Sequence, residues 1–508
     1  MNYFRASWRL AATTLLIYCL PALADDSISA GGAGAVHSHP VEIRFNMEKI
    51  KLPGDETTGL LGASYLFNVS PHVYVGPAVY GTITGDRGGF FTGGGEVAWQ
   101  QPVFSQADIE AGLYVGGGGG HGAPVGGGLM LRPHIDVMWK FNGFKTGVSL
   151  SQVHFPSGDI KSNQVGLVLA FDNKFLFTPA SAGGQRVSLS ERAGVGFDRI
   201  ALTATSYKPN FRNSSTGLDE TASIGLGGFR VEQQYSPNWV WGIEAAGAGK
   251  GSASGYAEVL GTLGLETTVL SNDLHMGVRG ALGMGGGGSV ASGSGLLSKA
   301  ALYSRYEFSP DFYLSVEGGY VTAPNHDFKA KYGMLALGMN FDHPLQSSNG
   351  SNKRQAFATV QGWEWSPSVE HYTSAARKDG TNKSVDLLGM KIRRNIVGNS
   401  VYLTGQAHSA YAGGAGAFSV GLAGLGFQSP SIAQGLSIGG ELLAGAAGGG
   451  GVDTPGGVIV QPMVYANLKL SDAWSVQGGV GKIRSVHDGL NSTVLDLSLN
   501  YRFGLPAR

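Results

Sequence analysis

Cysteine is almost absent from this chain. The one cysteine among 508 residues is Cys19, which lies in an apolar N-terminal segment. A chain without a second cysteine forms no internal disulfide and offers no thiolate cluster for a structural metal. Its stability must therefore come from hydrogen-bonded secondary structure and from burial of side chains.

Charge is also sparse and balanced. The chain has 36 Lys and Arg against 36 Asp and Glu, and charged residues make up 14% of it. Nucleic-acid-binding proteins usually carry a clear basic excess, so nucleic acid is not expected as a partner. The glycine run at 116–120 lacks the Lys-Ser/Thr that completes a phosphate loop, and we expect neither a cofactor nor a metal.

Long hydrophobic runs are missing after the N-terminus. A membrane-spanning helix needs about 20 apolar residues, whereas the N-terminal apolar run covers only 10–20, after Arg5 and Arg9 and before Ala22-Leu-Ala24. This layout predicts a signal peptide at 1–24 and a flexible N-terminus at 25–40. Two histidines in that second segment, His37 and His39, are interpreted as part of a disordered tail and not as a metal site.

Glycine is the most conspicuous residue that is present. The chain has 83 glycines, yet aromatic residues still make up 10% of it. The glycines show no period of three, which excludes a collagen-like helix, and the recurring aliphatic and aromatic residues argue against disorder. Short strands in closed β-structure fit this composition, because glycine permits bends and close strand approach.

Three glycine runs divide the chain at regular intervals. They begin at Gly116, Gly285 and Gly448, which are 169 and 163 residues apart, and alternating segments end in Phe171, Phe341 and Phe503, which are 170 and 162 residues apart. Matching intervals indicate an internal duplication. We expect β modules at 41–171, 199–341 and 356–508, joined by linkers or loops at 172–198 and 342–355. The run at 116–120 is interpreted as an external hairpin loop.

Alternation of side chains points to a membrane. In the last strand one face carries Thr493, Leu495, Leu497, Leu499, Tyr501 and Phe503, and the other carries Val494, Asp496, Ser498, Asn500 and Arg502. Strands of about 9 to 11 residues with one apolar face and aromatic ends are what a strand crossing lipid requires. Backbone groups cannot stay unpaired in lipid, so such strands must close into a ring.

The signal peptide, the alternating strands and the closing segment 493–503 resemble the outer-membrane β-barrel superfamily. The superfamily usually ends in an aromatic residue that the barrel-assembly machinery reads, whereas here Phe503 is followed by 504–508. The resemblance implies a location in the cell outer membrane, contact with outer-membrane lipid and lipopolysaccharide, and insertion by that machinery.

About eight strands are predicted in each module. The favoured fold is an all-β, antiparallel transmembrane barrel of about 24 strands from three repeats, and the alternative is three tandem eight-stranded barrels. The favoured function is a passive pore or translocation channel for small solutes or an exported polymer. Its lumen-lining candidates are Arg132, His134, Asp136, Lys140, Lys299, Arg305, Glu307, Lys469, Asp496 and Arg502.

Two other functions stay open. Three filled barrels would give a non-conducting structural or adhesive protein. Each module also resembles small eight-stranded outer-membrane barrels such as the lipid A deacylase family, which carries a His-x-Ser pair. The nearest match, His154-Phe-Pro-Ser157, is longer by one residue, which places its second group on the opposite face of a strand. We therefore do not expect an enzyme.

Overall fold

The computed structural model describes residues 35–189, 192–214, 216–251, 253–270, 273–324, 326–340 and 356–507. The predicted signal peptide, Phe341 and the predicted linker at 342–355 lie outside these ranges. All strand pairings in the described part are antiparallel, which confirms the predicted all-β fold class. None of its helices has the length and apolar character to span a bilayer.

The first eight strands form a closed ring, which we call barrel 1. They are β1 (His37–Lys51), β2 (Thr57–Ser70), β3 (Val73–Thr84), β4 (Phe91–Phe104), β5 (Ala107–Gly119), β6 (Met130–Lys140), β7 (Lys145–His154) and β8 (Lys161–Pro179). Neighbours in sequence pair with each other, and β1 pairs with β8 from His37 opposite Phe177 to Glu48 opposite Gly166. The pairing of the first strand with the eighth closes the ring.

Barrel 2 follows a short connection made of a 3-10 helix (Ala180–Ala182) and β9 (Arg186–Leu189). Its first strand is β10 (Arg199–Pro209), and a small hairpin of β11 (Phe211–Arg212) and β12 (Asp219–Glu220) stands before the second. The remaining strands are β13 (Ile224–Gln234), β14 (Trp239–Lys250), β15 (Ala257–Thr268), β16 (Leu274–Gly286), β17 (Leu296–Ser309), β18 (Phe312–Thr322) and β19 (Lys329–Asn340). Strand β10 pairs with β19 and closes this ring.

Barrel 3 contains the last eight strands. They are β20 (Ala356–Ala376), β21 (Asn382–Val397), β22 (Val401–Ala412), β23 (Ser419–Gln428), β24 (Leu436–Gly448), β25 (Val458–Lys469), β26 (Trp474–Ser485) and β27 (Asn491–Ala507). Strand β20 pairs with β27 over most of its length. Barrel 1 is also joined to barrel 3 by a short pairing of β8 with β27, and β9 of the connection pairs with β20 of barrel 3.

The favoured single ring of about 24 strands is therefore wrong, and the alternative of three tandem barrels describes the pairings. In one wide ring the first strand would pair with the last, whereas β1 pairs with β2 and β8. Side-chain alternation has the same period in a ring of any size, so it does not reveal which distant edge a strand meets. In each module the first strand pairs with the last strand of the same module, so neither is left without a neighbour.

Residues 25–34 of the predicted flexible N-terminus lie outside the described ranges, whereas its remaining part and the first linker differ from the structure. His37 and His39 belong to β1 and face Phe177 and Phe175 across the pairing with β8, so they are not part of a tail. Strand β8 continues to Pro179, well past the predicted module end at Phe171. Aromatic residues hold this extension in place, because Phe175 packs against Trp365 and Phe503 of barrel 3.

The three barrels contact one another in a cycle. We call the end opposite the first and last described residues the loop end. There the loop between the third and fourth strands of each barrel reaches the loop between the fifth and sixth strands of another. The hydrogen bonds across these seams are Gly88 N to Gly293 O (2.7 Å), Gly416 N to Gly126 O (3.1 Å) and Ser254 Oγ to Thr454 O (2.7 Å). Each barrel uses two different surfaces, as in a closed head-to-tail trimer.

The glycine runs lie in these seams. Gly116 to Gly119 are part of β5, not of an external hairpin loop, so that interpretation of the run is wrong for most of its length. A Cβ atom on Gly448 would lie 2.3 Å from the backbone nitrogen of Gly255 in barrel 2. Only glycine lets two backbones approach this closely.

Candidate functional site

The interior of each barrel is the candidate site, because it collects most of the buried charged side chains. In barrel 1 the centre is Arg44, which is fully buried. Its guanidinium donates to Glu96 at 3.0 Å and to both oxygens of Glu110. It also donates to Glu42, which accepts a further hydrogen bond from Lys145 at 2.7 Å. One cation therefore contacts three carboxylates inside the ring.

The predicted residues of β6 point into this interior. Arg132 is fully buried and donates to both oxygens of Glu48, each at 2.9 Å. His134 Nε2 lies 3.2 Å from Glu110 and 3.9 Å from Asp136. Arg132, His134 and Asp136 thus face inward on one strand, as the two-residue period requires. Arg132 and His134 contact glutamates of other strands, whereas Asp136 lies beside His134 of its own strand.

Lys140 lies at the other mouth of barrel 1, which we call the terminal end because the first and last described residues and the short turns are there. Its ammonium pairs with Asp108 at 2.7 Å and is partly exposed. A cavity of about 350 Å³ opens at this mouth and is lined by residues that include Lys140, Lys145, Asp108 and Asp172. This mouth is open to solvent, whereas the middle of the barrel is filled.

One group in barrel 1 has the ligand types of a metal site. Glu96, Glu110 and His134 are buried, and one potential ligand atom of each lies within 4.8 Å of the others. Arg44 already donates hydrogen bonds to both glutamates. Its single positive charge offsets only one of these two negative charges, but its hydrogen bonds occupy oxygens of both glutamates, so the three residues belong to the ionic core of the barrel.

Barrel 2 repeats the pattern with more arginines. The predicted residue Lys299 is buried and donates to Glu244 and Glu258, each at 2.7 Å. Tyr207 donates to the same Glu258 at 2.8 Å. Every hydrogen-bonding group named here points inward, so the interior is occupied by paired side chains.

The other two predicted residues of barrel 2 lie nearer its terminal end. Arg305 donates to Glu266 at 2.9 Å and also pairs with Glu307, which is partly exposed. The sequence interpretation missed several equally buried residues that complete this network, although they too occupy alternate strand positions. These are Arg199, Arg230, Arg279, Glu232, Glu244, Glu266 and Glu317.

In barrel 3 the predicted residues separate. Asp496 is buried and lies 2.6 Å from the Lys391 ammonium. Lys469 and Arg502 are at the terminal end, where Lys469 pairs with the exposed Asp472 at 2.6 Å and Arg502 donates to the backbone oxygen of Ser471 at 3.2 Å. The structure therefore brings Asp496 into the ionic interior but not the other two.

An apolar cluster closes each interior at the loop end. In barrel 1 this cluster includes Tyr80, Phe90, Tyr114, Phe155 and Ile160. In barrel 2 it includes Tyr207, Phe211, Tyr256, Leu260 and Phe328, and in barrel 3 Tyr372, Phe418, Leu443, Ile459 and Ile483. From the loop end inward, the interior of each barrel is thus filled first by aromatic and other apolar side chains and then by ion pairs.

The residues of the hydrolase hypothesis do not form a catalytic group. Ser157 Oγ accepts a hydrogen bond from the backbone N–H of Gly127 at 2.8 Å, and the described residues show no hydrogen bond between His154 and Ser157. A serine–histidine contact does occur in barrel 3, where Ser368 Oγ lies 2.7 Å from His408 Nε2. Both side chains are buried in the filled interior, so a substrate cannot reach them.

No protein-family model and no curated protein matches this chain. Solved structures align over most of it at low similarity. OccAB4 of Acinetobacter baumannii is 8% identical over 92% of this chain and 98% of that chain, with a TM-score of 0.21. The FrpB iron transporter of Neisseria meningitidis is 8% identical over 92% and 82%, with a TM-score of 0.28. The outer membrane protein OpdK of Pseudomonas aeruginosa is 11% identical over 92% and 99%, with a TM-score of 0.21. At such scores the likeness carries no argument, and the function proposed below rests on the geometry of this chain.

Proposed function

We propose that this protein is an integral outer-membrane protein whose three barrels are closed to free diffusion and serve as a joined structural unit. The observation that carries the proposal is the closure of each ring after eight strands around an ion-paired interior. An eight-stranded barrel is just wide enough for its own side chains to fill. The barrel-assembly machinery and lipopolysaccharide remain predicted partners.

The outer surface supports the membrane location. On β6 the outward residues Ile135, Val137 and Trp139 are exposed, while His134, Asp136 and Met138, which alternate with them, are buried inside the ring. The same strand carries outward apolar residues from Leu131 to Trp139, about 26 Å along the strand at about 3.3 Å per residue. Contact of such a surface with water is unfavourable. At a tilt of about 40° this length covers about 20 Å of height, which is most of an apolar band about 25 Å tall.

The outward aromatic residues mark one edge of the apolar outer surface. Exposed tryptophan, tyrosine and phenylalanine side chains collect at the terminal end of the barrels. They include Trp99, Phe104, Trp139, Phe141, Tyr235, Trp239, Tyr306, Phe308 and Phe312. Aromatic side chains favour the membrane–water interface, so this ring fits the periplasmic edge of a bilayer.

Conductance measurements test the closed state. Purified protein reconstituted into planar bilayers is expected to give no stepwise conductance, because the ion pairs and the apolar clusters fill the path. The matched variant Arg132→Ser removes one side chain that fills barrel 1, and Lys469→Ser changes an exposed lysine of barrel 3 as a control. Stable large steps from the unmodified protein would contradict the proposal.

A narrow channel through barrel 1 is the second candidate. The observation that favours it is the open cavity of about 350 Å³ at the terminal mouth, which has charged walls. Ion passage would require Arg44 and Arg132 to leave their present partners. Small steps from the unmodified protein that Arg132→Ser enlarges and Lys469→Ser leaves unchanged would favour this candidate over the structural one.

A further inference from the structure

A groove runs along the outer surface of barrel 1. Leu131 pairs with His154 and His134 with Ser151, but Arg132 and Pro133 between them have no partner on β7. Proline has no N–H to donate, so the sheet is locally interrupted. The groove beside this interruption has a volume of about 570 Å³, and its outward lining includes Ile135, Leu150 and Val165.

The upper rim of this groove is polar and basic. Gln152 and Asn163 line it and share a hydrogen bond of 2.6 Å. One step nearer the loop end, His154 lies directly opposite Lys161 in the pairing of β7 with β8. Strand β1 adds Lys51, whose backbone N–H donates to Ser162 Oγ at 2.9 Å.

These basic residues lack carboxylate partners. The ion pairs of the described ranges include none to Lys51 or Lys161, and Nδ1 of His154 is buried without a hydrogen-bond partner. Lys51 and Lys161 lie on the neighbouring strands β1 and β8. Like charges on neighbouring strands destabilise a sheet, so the fold alone gives no reason for placing these two lysines together. An anion at this place would offset the repulsion.

The cluster lies at a defined depth. Along the same barrel surface the apolar residues lie between it and Trp139 at the terminal end. Turns at the terminal end are as short as two residues, 71–72 and 105–106, whereas the loop at 120–129 has ten. Outer-membrane barrels have short periplasmic turns and longer external loops, so the cluster sits at the outer-leaflet headgroup level.

The other barrels carry the same kind of cluster on their lipid-facing strands. In barrel 2 Lys208 lies directly opposite Lys331 on the neighbouring strand, and Lys329 follows on the same face. In barrel 3 Lys482 and Arg484 project from β26 near the loop end. The repetition in three diverged modules indicates a shared role on the surface away from the seams.

We infer that the groove of barrel 1 binds a phosphorylated glycolipid of the outer leaflet. Acyl chains would lie against Ile135, Leu150 and Val165, and phosphate groups would meet Lys51 and Lys161. The inference deepens the proposed function and depends on its membrane location. Charge complementarity carries the choice of partner, because an unpaired basic cluster directly above an apolar groove matches an amphiphile with an anionic head.

Binding in detergent solution tests the site apart from the location in the cell. The folded full chain is titrated with bisphosphorylated lipid A, with dephosphorylated lipid A and with phosphatidylglycerol, and bound lipid is counted by native mass spectrometry. Removing two lysines by Lys51→Gln with Lys161→Gln is expected to weaken the binding of one lipid A molecule, the one on barrel 1, about thirtyfold, at about 1 kcal/mol per basic residue, while lipid bound to the clusters of barrels 2 and 3 remains. The control pair Lys378→Gln with Lys383→Gln makes the same charge change at exposed positions of barrel 3 and should leave affinity unchanged.

A second variant, Leu150→Trp, fills the groove and should also weaken binding while the lysines remain. Equal binding of dephosphorylated lipid A or of phosphatidylglycerol would overturn the inference, as would equal losses in both lysine pairs. A wild-type protein that is recovered from the outer membrane but does not bind lipid A overturns this site and leaves the proposed function standing. Recovery from the soluble periplasm would instead overturn the proposed function.

Discussion

A valine at Gly448 should separate barrels 2 and 3 at their loop ends. The added Cβ would lie 2.3 Å from the nitrogen and 2.6 Å from the Cα of Gly255, so two backbones must move apart. Overpacking of this kind costs about 1–3 kcal/mol, which corresponds to roughly a 5- to 150-fold shift against the docked arrangement. Neither barrel loses a strand pairing, so both rings should stay folded.

The assay uses the scarcity of cysteine. Ser254 Oγ and Thr454 Oγ1 lie 3.1 Å apart across the same seam, so Ser254→Cys with Thr454→Cys should form a disulfide under mild oxidation. Adding Gly448→Val is expected to slow this cross-linking by at least fivefold. The control Gly421→Val places the same side chain on barrel 3 where no heavy atom lies within 4 Å of the added Cβ.

An unchanged cross-linking rate in the Gly448→Val protein would refute the seam. Loss of the heat-modifiable gel mobility that marks a folded barrel would show that the variant has unfolded, which also contradicts the expectation that only the seam moves. If Gly421→Val slowed the cross-linking as well, the slowing would be a general effect of adding valine to barrel 3 and would not come from the contact with Gly255.

Two further predictions concern charge. Arg44→Met should destabilise barrel 1 by about 3–5 kcal/mol in urea titrations in lipid vesicles, because it leaves buried carboxylates unpaired. The control Arg502→Met, at a solvent-facing site, should change stability by less than about 0.5 kcal/mol. Equal effects of the two substitutions would refute the ionic core. At the loop end, hydrogen bonds from Arg87 lower the pKa of Glu56, so this pair stabilises the loops above the ordinary glutamate pKa and is lost as pH falls through the lowered value. Limited proteolysis should therefore show faster loop cleavage as pH falls below the ordinary glutamate pKa. Because the pair is partly exposed and worth at most about 1 kcal/mol, Glu56→Gln should raise the cleavage rate at neutral pH by at most about fivefold; equal cleavage of both proteins at neutral pH would contradict the role of the pair.

Local features of the fold could be predicted from the sequence. The alternation in β6 and β27 assigned the inward and outward faces, because it depends only on the two-residue period of a strand. Ring size could not be predicted in this way, since the partner of β1 is a strand more than 100 residues away and its alternation fits many neighbours. The glycine runs showed the repeat but not their role, because a seam between modules exists only after each ring has closed.

For the candidate site, too, the sequence predicts which side chains face inward but not which partners they contact. Arg132, His134 and Asp136 could be placed on one inward face, but the partner of Arg132 is Glu48, 84 residues away, and no local pattern links them. Lys469 and Arg502 follow the same inward alternation, yet they stand where the ring opens to solvent. Depth along the barrel, which sequence alternation does not record, decides whether such a residue joins the ionic interior.

Cross-linking of the first strand tests the central claim most directly. A cysteine in place of Phe45 on β1 is paired in turn with one in place of Leu169 on β8, its partner in the structure, and with ones in place of Leu495 or Leu497 on β27. Three separately closed barrels predict a disulfide only in the Phe45→Cys and Leu169→Cys protein in intact outer membranes. A disulfide from position 45 to β27, with none to position 169, would mean one wide ring and would contradict the account.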